Sequence, residues 1–235
     1  MPSCPSTTTY CSFLDADLTL EQVGLYSRGW LIDRNINFCL RRLEARLSLS
    51  ERILLLDPSV ASFLRVQLDV DDVEEVLDAK HGLAFSRREW IIVPINDADD
   101  RVSRGSHWSL LVFNIKSNDA LHLDSSRSRS NTSSAVAMAA ILSSLSARAP
   151  GKVTNVDAPT QSDGFSCGVY TCLFAEFWAT RLGREDAAFD PILGDHRTDW
   201  LADLRAEVDD ARVARWRLEM VQDVEAVVAE KLLLS

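Results

Sequence analysis

The pattern of apolar and polar positions changes its period twice along this chain. After Trp30 the apolar side chains recur at helical spacing, at Ile36, Cys39, Leu40, Leu43 and Leu47. This spacing predicts an amphipathic helix, for which Asp33 would serve as the N-cap. Helical patterns also occupy residues 59–68 and 70–79, and the acidic residues of the second pattern are typical of a solvated surface.

The middle of the chain has the shorter period of β-strands. Four runs rich in β-branched and aromatic residues predict strands over residues 90–96, 107–115, 120–125 and 153–159. Further helices are predicted over residues 133–148, 168–182 and 216–234, and the second of these is apolar almost all round, which indicates burial. Residues 1–12 are polar and contain proline, so we expect a loose arm there. The whole chain, residues 1–235, is predicted to form a single α+β domain, with helices first, then a small sheet, then helices.

Composition and charge limit the classes of function. The chain has 235 residues, of which 46% are hydrophobic, and this is sufficient for a packed core. The net charge of −10 argues against nucleic acid as a partner, because nucleic-acid binding depends on clustered Lys and Arg. No apolar run reaches the roughly 20 residues of a membrane span. The N-terminal segment also lacks the features of a signal peptide, so we expect no membrane association and a location in the cytoplasm or the nucleus.

Cysteine and histidine residues are scattered along the chain. The cysteines are five in number, at positions 4, 11, 39, 167 and 172, and an odd, dispersed set is typical of reduced intracellular thiols. Neither their spacing nor that of the four histidines fits a zinc site. We therefore expect no metal and no cofactor.

The stretch QSDGFSCGVYTC, residues 161–172, places Cys167 behind a polar turn and at the start of a predicted helix. The positive end of a helix dipole favours a thiolate over a thiol, so Cys167 is a candidate nucleophile. The alternative interpretation is a small residue that packs the helix start. Cys172, further along the same helix, is interpreted as such a packing residue.

Three more polar residues complete a candidate site. His107 opens one predicted strand and Asp124 ends the next, so imidazole and carboxylate meet if the two strands are neighbours. A thiolate beside a histidine that is held by a carboxylate is the arrangement of acyl-transfer enzymes. Gln161 can donate to an oxyanion together with the backbone N–H of Cys167.

The order of these residues, with their neighbours, resembles the Ulp/sentrin-specific cysteine proteases, which process ubiquitin-like modifiers. The matching motifs are HWSLL at 107–111, LHLDS at 121–125, Gln161 and CGVY at 167–170. The resemblance implies a papain-like cysteine protease fold, with a small central sheet flanked by helices. The short chain looks most similar to the deneddylase branch of this family.

Carried over residue by residue, the resemblance implies four catalytic roles. Cys167 is the nucleophile, His107 the base, Asp124 the acid that orients the base, and Gln161 the oxyanion donor. One position departs from the family pattern. Members commonly have aspartate directly before the catalytic cysteine, and Ser166 stands there in this chain.

The resemblance also implies residues that bind substrate. Tryptophans at the positions of Trp30 and Trp108 cover the diglycine of the modifier in this family, and we expect them to form a clamp across the approach to Cys167. Asp33 is assigned to substrate binding with them.

The predicted activity is that of a thiol protease and isopeptidase that cleaves after the C-terminal Gly-Gly of a ubiquitin-like modifier. A Nedd-type modifier is the first choice and SUMO or ubiquitin the next, with the modifier and its conjugates as partners. One alternative is an effector-type acetyltransferase, which uses a similar order of His, acid and Cys but usually has glutamate in place of Asp124. Another is a non-catalytic modifier-binding module, which Ser166 makes plausible.

Overall fold

The computed structural model describes residues 8–66, 76, 83–98, 105–184 and 197–234. The strands of the described residues are β1 Thr9–Phe13, β2 Ala16–Thr19, β3 Ile53–Leu55, β4 Trp90–Asn96, β5 Trp108–Asn114, β6 Ala120–Leu123 and β7 Val153–Asn155. The α-helices are α1 Leu20–Arg28, α2 Asp33–Leu47, α3 Pro58–Val66, α4 Thr132–Leu145, α5 Cys167–Arg184, α6 Arg197–Glu207 and α7 Asp210–Leu234. None of the helices in these ranges is both long and apolar enough to cross a membrane.

A five-stranded mixed sheet, in the order β3-β4-β5-β6-β7, forms the centre of the molecule. The two edge pairings are parallel, and β4, β5 and β6 pair antiparallel. Every residue of β4 and β5 is buried, because helices cover both faces of the sheet. One face, with Ile92 and Leu110, packs against α2 and α5, and the other, with Ile91 and Leu111, packs against α3 and α4.

The structure confirms the α+β class and the four predicted strands, although the strands at 120 and 153 end earlier than predicted. Five side chains on one face of the last helix are buried: Val213, Trp216, Met220, Val224 and Val227. The predicted helix over residues 70–79 lies outside the described residues, apart from Val76.

Two local predictions are wrong. Residues 9–12 are not part of a loose arm, because β1 pairs antiparallel with β2 and buries Cys11; residues 1–7 lie outside the described ranges. Asp33 is not the N-cap of α2 but its first residue, because Ile32 has the extended backbone of a cap, with φ −98° and ψ 174°. The side chain of Asn35 accepts the N–H of Ile32 at 3.4 Å and so takes over part of the capping.

Candidate active site

The imidazole of His107 and the carboxylate of Asp124 are in direct contact. Strands β5 and β6 run antiparallel with Leu110 opposite Leu123, so the start of one strand lies beside the end of the other. His107 Nε2 is 2.6 Å from Asp124 Oδ1. The predicted pair is therefore assembled by the register of two neighbouring strands.

The backbone of His107 is held by an aspartate at the end of β4. Asp97 accepts the N–H of His107 at 2.9 Å and the hydroxyl of Ser106 at 2.7 Å. The N–H of Asp97 donates to the carbonyl of His107 at 3.2 Å. These bonds on both sides of the peptide fix the direction in which the imidazole leaves the chain.

The carboxylate of Asp124 is buried and receives backbone N–H groups as well as the imidazole. Ser126 N–H donates to Oδ1 at 2.8 Å, and Asn131 N–H donates to Oδ2 at 3.3 Å. Asn131 is the N-cap residue of α4, so the positive end of that helix also faces the carboxylate. Burial opposes the charge of Asp124, but the hydrogen bonds from His107 and from these N–H groups lower its pKa.

Asn131 connects both halves of the pair. Its fully buried side-chain amide donates to the carbonyl of Ile95 at 3.0 Å and to that of His107 at 3.3 Å. One residue therefore holds the strand end before the histidine, the histidine backbone and the aspartate. Asn131, Asp97 and Ser126 are not among the residues predicted from the sequence, although an asparagine directly before an apolar helical pattern is a signal for an N-cap.

Cys167 is the first residue of α5 and faces His107. The two side chains are close enough for Cys167 to contribute to the raised pKa of His107. Asp124 engages Nε2, so Nδ1 is the ring nitrogen that remains for the sulfur. Cys167 is buried, only 3% exposed, so it lies below the outer surface.

The charge of His107 is stabilised by its surroundings. Burial disfavours the imidazolium, but the hydrogen bonds and charges of Asp124 and Cys167 outweigh burial and raise the pKa of His107 to about 9. The imidazole is therefore protonated at neutral pH and faces the sulfur as a cation.

Cys172 occupies a different environment on the same helix. It is fully buried, and burial together with the neighbouring thiol of Cys39 raises its pKa well above the usual value. The interpretation of Cys172 as a packing residue is consistent with this position.

Gln161 is attached to the residue that follows Asp124. The backbone N–H of Gln161 donates to the carbonyl of Ser125 at 2.9 Å, and the hydroxyl of Ser125 donates to Gln161 Oε1 at 2.8 Å. Nε2 donates to the carbonyl of Asp163 at 2.7 Å. Because an amide nitrogen has two N–H groups, the other one can point towards an oxyanion beside Cys167.

One of the two predicted clamp residues, Trp108, is bonded to the residue that follows the other, Trp30. Trp108 is buried, and its Nε1 donates to the carbonyl of Leu31 at 3.0 Å, while Trp30 remains 48% exposed. Leu31 also lies against α5, since a Cβ added to Gly168 would be 2.9 Å from Leu31 Cβ. Residues 29–32, which we call the Trp30 segment, therefore pass directly beside the residue that follows Cys167.

Asp33, the third residue assigned to substrate binding, begins α2 just after the Trp30 segment. It is partly buried, and its Oδ1 accepts the N–H of Arg34 at 2.9 Å. Asp33 therefore lies on the first turn of a helix, directly after the Trp30 segment.

Known proteins are similar to this chain in sequence and in fold. Residues 29–211, which include all four candidate catalytic residues, match the Ulp1 protease family, C-terminal catalytic domain. The chain is 28% identical to human sentrin-specific protease 8 over 164 residues, which cover 68% of this chain and 76% of that protein. It is 31% identical to NEDD8-specific protease 1 of Arabidopsis thaliana over 143 residues, which cover 60% of this chain and 62% of that protein.

Among solved structures, the fold is similar to the C-terminal Ulp1 protease domain in complex with Smt3, the yeast ortholog of SUMO. The TM-score is 0.67 at 17% identity, and the superposition covers 96% of this chain and 89% of that one. At this level of identity the likeness concerns the fold.

Proposed function

This chain belongs to the Ulp1 protease family and is a cysteine protease, and we propose that it cleaves the bond that follows the C-terminal Gly-Gly of a ubiquitin-like modifier. A NEDD8-type modifier is the first choice, because the names of the relatives from human and Arabidopsis thaliana point to sentrin-type and NEDD8-type substrates. SUMO and ubiquitin are the next choices. Both a precursor peptide bond and an isopeptide bond to lysine would be substrates.

The observation that carries this proposal is the hydrogen bond of His107 to Asp124, at a position where Cys167, the first residue of α5, helps to raise the pKa of the imidazole. With His107 protonated at neutral pH, the reactive form of the pair is a thiolate opposite an imidazolium. The thiolate attacks the carbonyl carbon of the last glycine, and the carbonyl electrons move to oxygen. When the tetrahedral intermediate collapses, the C–N bond breaks and His107 gives its proton to the leaving amine.

The second half of the reaction regenerates the thiolate. His107, now neutral, takes a proton from water, and the resulting hydroxide attacks the thioester carbonyl. The C–S bond breaks, the thiolate leaves, and His107 is again an imidazolium; the carboxyl group of the released modifier gives its proton to water. Asp124 holds the ring in position and stabilises its charged form through both steps.

The oxyanion that forms in each step needs donors that are already in place. The side-chain amide of Gln161 and the backbone N–H of Cys167 are the two groups that we assign to it. Gln161 is held from two sides by Ser125 and Asp163, so its amide does not have to reorganise during the reaction.

The Trp30 segment and Trp108 suit a tail without side chains. Leu31 approaches the start of α5 so closely that only glycine fits at position 168. We infer that the passage beside it admits Gly-Gly and excludes larger residues. Asp33, on the next turn, is proposed to contact the modifier outside this passage.

The proposed place of action is the cytoplasm or the nucleus. This is supported by the described cysteines, which are all free thiols: Cys11, Cys39, Cys167 and Cys172.

The test is a panel of modifiers that carry an electrophilic warhead at the C-terminus, namely NEDD8, SUMO and ubiquitin. We expect a covalent adduct, found by mass spectrometry on Cys167, to form fastest with NEDD8. The Cys167→Ala protein should give no adduct, while the Cys172→Ala protein should react like the wild type.

Two outcomes would contradict the proposal at different levels. Faster labelling by SUMO or ubiquitin would replace the modifier but keep the reaction. Absence of any adduct, with the protein folded, would support the acetyltransferase or the non-catalytic binding module instead.

A further inference from the structure

Arg217 is a buried arginine of α7 that reaches two parts of the active-site region. Its side chain is charged, yet the residue is only 7% exposed. The guanidinium donates to the carbonyls at the end of α1: Leu25 at 3.2 Å, Tyr26 at 3.1 Å and Gly29 at 3.2 Å. It therefore satisfies the free carbonyls of a helix C-terminus, and it holds the first residue of the Trp30 segment.

The same guanidinium contacts the residue directly before the nucleophile. Arg217 Nη2 donates to the hydroxyl of Ser166 at 3.2 Å. Ser166 is 1% exposed and occupies the position at which members of the family commonly have aspartate. One side chain thus joins the Trp30 segment to the N-terminus of α5.

On the other side of Ser166 lies the carboxylate of Asp163. The Ser166 hydroxyl donates to Asp163 Oδ2 at 2.7 Å. Asp163 Oδ1 accepts the N–H groups of Phe165 at 2.9 Å and of Ser166 at 2.8 Å. A hydroxyl has one proton to donate and lone pairs to accept, so Ser166 can serve both neighbours at once.

The three residues form a chain from cation to hydroxyl to carboxylate. A buried guanidinium is costly unless a countercharge compensates it, and Asp163 supplies that charge through Ser166. Burial opposes the charge of Asp163, but the hydrogen bonds from Ser166 and Phe165 and the charge of Arg217 lower its pKa. The carboxylate is therefore present at neutral pH, at position 163 and not at position 166.

We propose that Arg217, and Asp163 acting through Ser166, are positioning residues that fix the Trp30 segment relative to Cys167. The distance between these two elements sets the width of the passage and the approach of the scissile carbonyl to the sulfur. This inference rests on the proposed function, because it concerns the turnover of a Gly-Gly substrate. The alternative is that the hydrogen-bonded residues Arg217, Ser166 and Asp163 only stabilise the fold.

The first test moves the carboxylate between the two positions. Asp163→Asn removes the countercharge, and we expect kcat on a modifier–reporter fusion to fall about tenfold with KM nearly unchanged, because the positioning of reacting groups is lost. Ser166→Asp should cost a similar factor, since it puts two carboxylates in contact. The double variant restores one carboxylate facing Arg217, so its kcat should return to within about threefold of the wild type.

The second test uses arginines of the same helix. Arg217→Lys keeps the charge but loses the fork that reaches four acceptors, so we expect a similar loss of kcat and faster cleavage of a Gly-Ala tail relative to Gly-Gly. Arg215→Lys is the matched control, because the Arg215 side chain is 64% exposed, and it should behave as the wild type.

The outcomes separate the two levels of the proposal. A wild-type protein that cleaves no modifier would overturn the proposed function itself. With an active wild type, a wild-type kcat for Asp163→Asn, or a double variant showing the product of the two single losses, would overturn the positioning role. Variants that only lower the midpoint of thermal unfolding, or that do not fold, would show that Arg217, Ser166 and Asp163 serve stability alone. That result would also overturn the positioning role.

Discussion

The indole nitrogen of Trp108 donates to the carbonyl of Leu31 across 77 positions of sequence. This bond connects Trp108, the residue after His107, to the Trp30 segment. The Trp30 segment in turn packs against the start of α5, where Leu31 lies beside Gly168. The side chain of Trp108 is buried and that of Trp30 is half exposed. We therefore propose different roles for the two tryptophans: Trp108 supports the passage for the Gly-Gly tail, and Trp30 forms its open side.

Trp30→Ala should reduce kcat/KM on a Gly-Gly fusion and relax the exclusion of a Gly-Ala tail, because the side chain excludes larger residues by steric contact. The free energy of unfolding should change by no more than about 1 kcal/mol, since much of the side chain is already in water. Steady-state kinetics on the two fusions and urea unfolding provide the measurements.

Val136→Ala is the matched control, because Val136 is equally exposed, at 48%, on α4 at the other face of the sheet. It should leave the ratio of Gly-Gly to Gly-Ala cleavage unchanged. Trp108→Phe, which loses only the bond to Leu31 and part of the ring, should lower both stability and turnover. An unchanged ratio in the Trp30→Ala protein would show that Trp30 is not part of a clamp.

The raised pKa of His107 predicts the alkaline limit of activity. Because the imidazolium donates the proton to the leaving amine, kcat/KM should fall as the pH rises through about 9. Asp124→Asn removes the negative charge that counteracts the effect of burial on His107, so the pKa of His107 should fall. The alkaline limit of activity should therefore move to lower pH, and the maximal rate should fall. A pH–rate profile of both proteins measures this, and an unshifted limit would mean that another group titrates.

The same pKa predicts a contribution to stability. The pKa of folded His107, about 9, lies above the ordinary value of 6.5, so the contribution is fully present below pH 6.5 and is lost as the pH rises through about 9. The difference in the free energy of unfolding between the wild type and His107→Ala should therefore shrink across this window. A difference that stays constant between these pH values would contradict the assignment.

Cys167→Ala should abolish hydrolysis while modifier binding persists, because the substitution removes the nucleophile and not the recognition surface. Cys172→Ala removes a buried thiol of the same helix and should remain active. Turnover and the Kd for the free modifier distinguish the two. Equal loss in both variants would mean that the helix, and not the thiol, determines activity.

Gln161→Ala should lower turnover by about 10² to 10³-fold with little change in substrate affinity, because the amide acts on the developing oxyanion. Ser125→Ala, which removes only the hydroxyl that holds Gln161 Oε1, should give a smaller loss in the same direction. Separate kcat and KM values test this. If KM rises and kcat is kept, Gln161 is a binding residue.

The elements that could be predicted from the sequence are those that are buried along most of their length. Strands β4 and β5 are buried along their whole length, and α5 is apolar almost all round, so continuous runs of apolar residues were sufficient to find them. The prediction of a loose arm is wrong at β1, because this strand is short, buries only Cys11 and is stabilised by its partner β2 and not by its own pattern.

The sequence alone determined which groups could react: a cysteine at a helix start, a histidine and an aspartate at strand ends, and an amide six residues before the cysteine. Tertiary structure decided how they are held. Asn131 bridges β4 and β5, and Arg217 reaches Ser166 from 51 positions away. Such contacts leave no periodic signal, because a single buried polar side chain is specified by the groups that face it across the fold, and those groups come from distant parts of the chain.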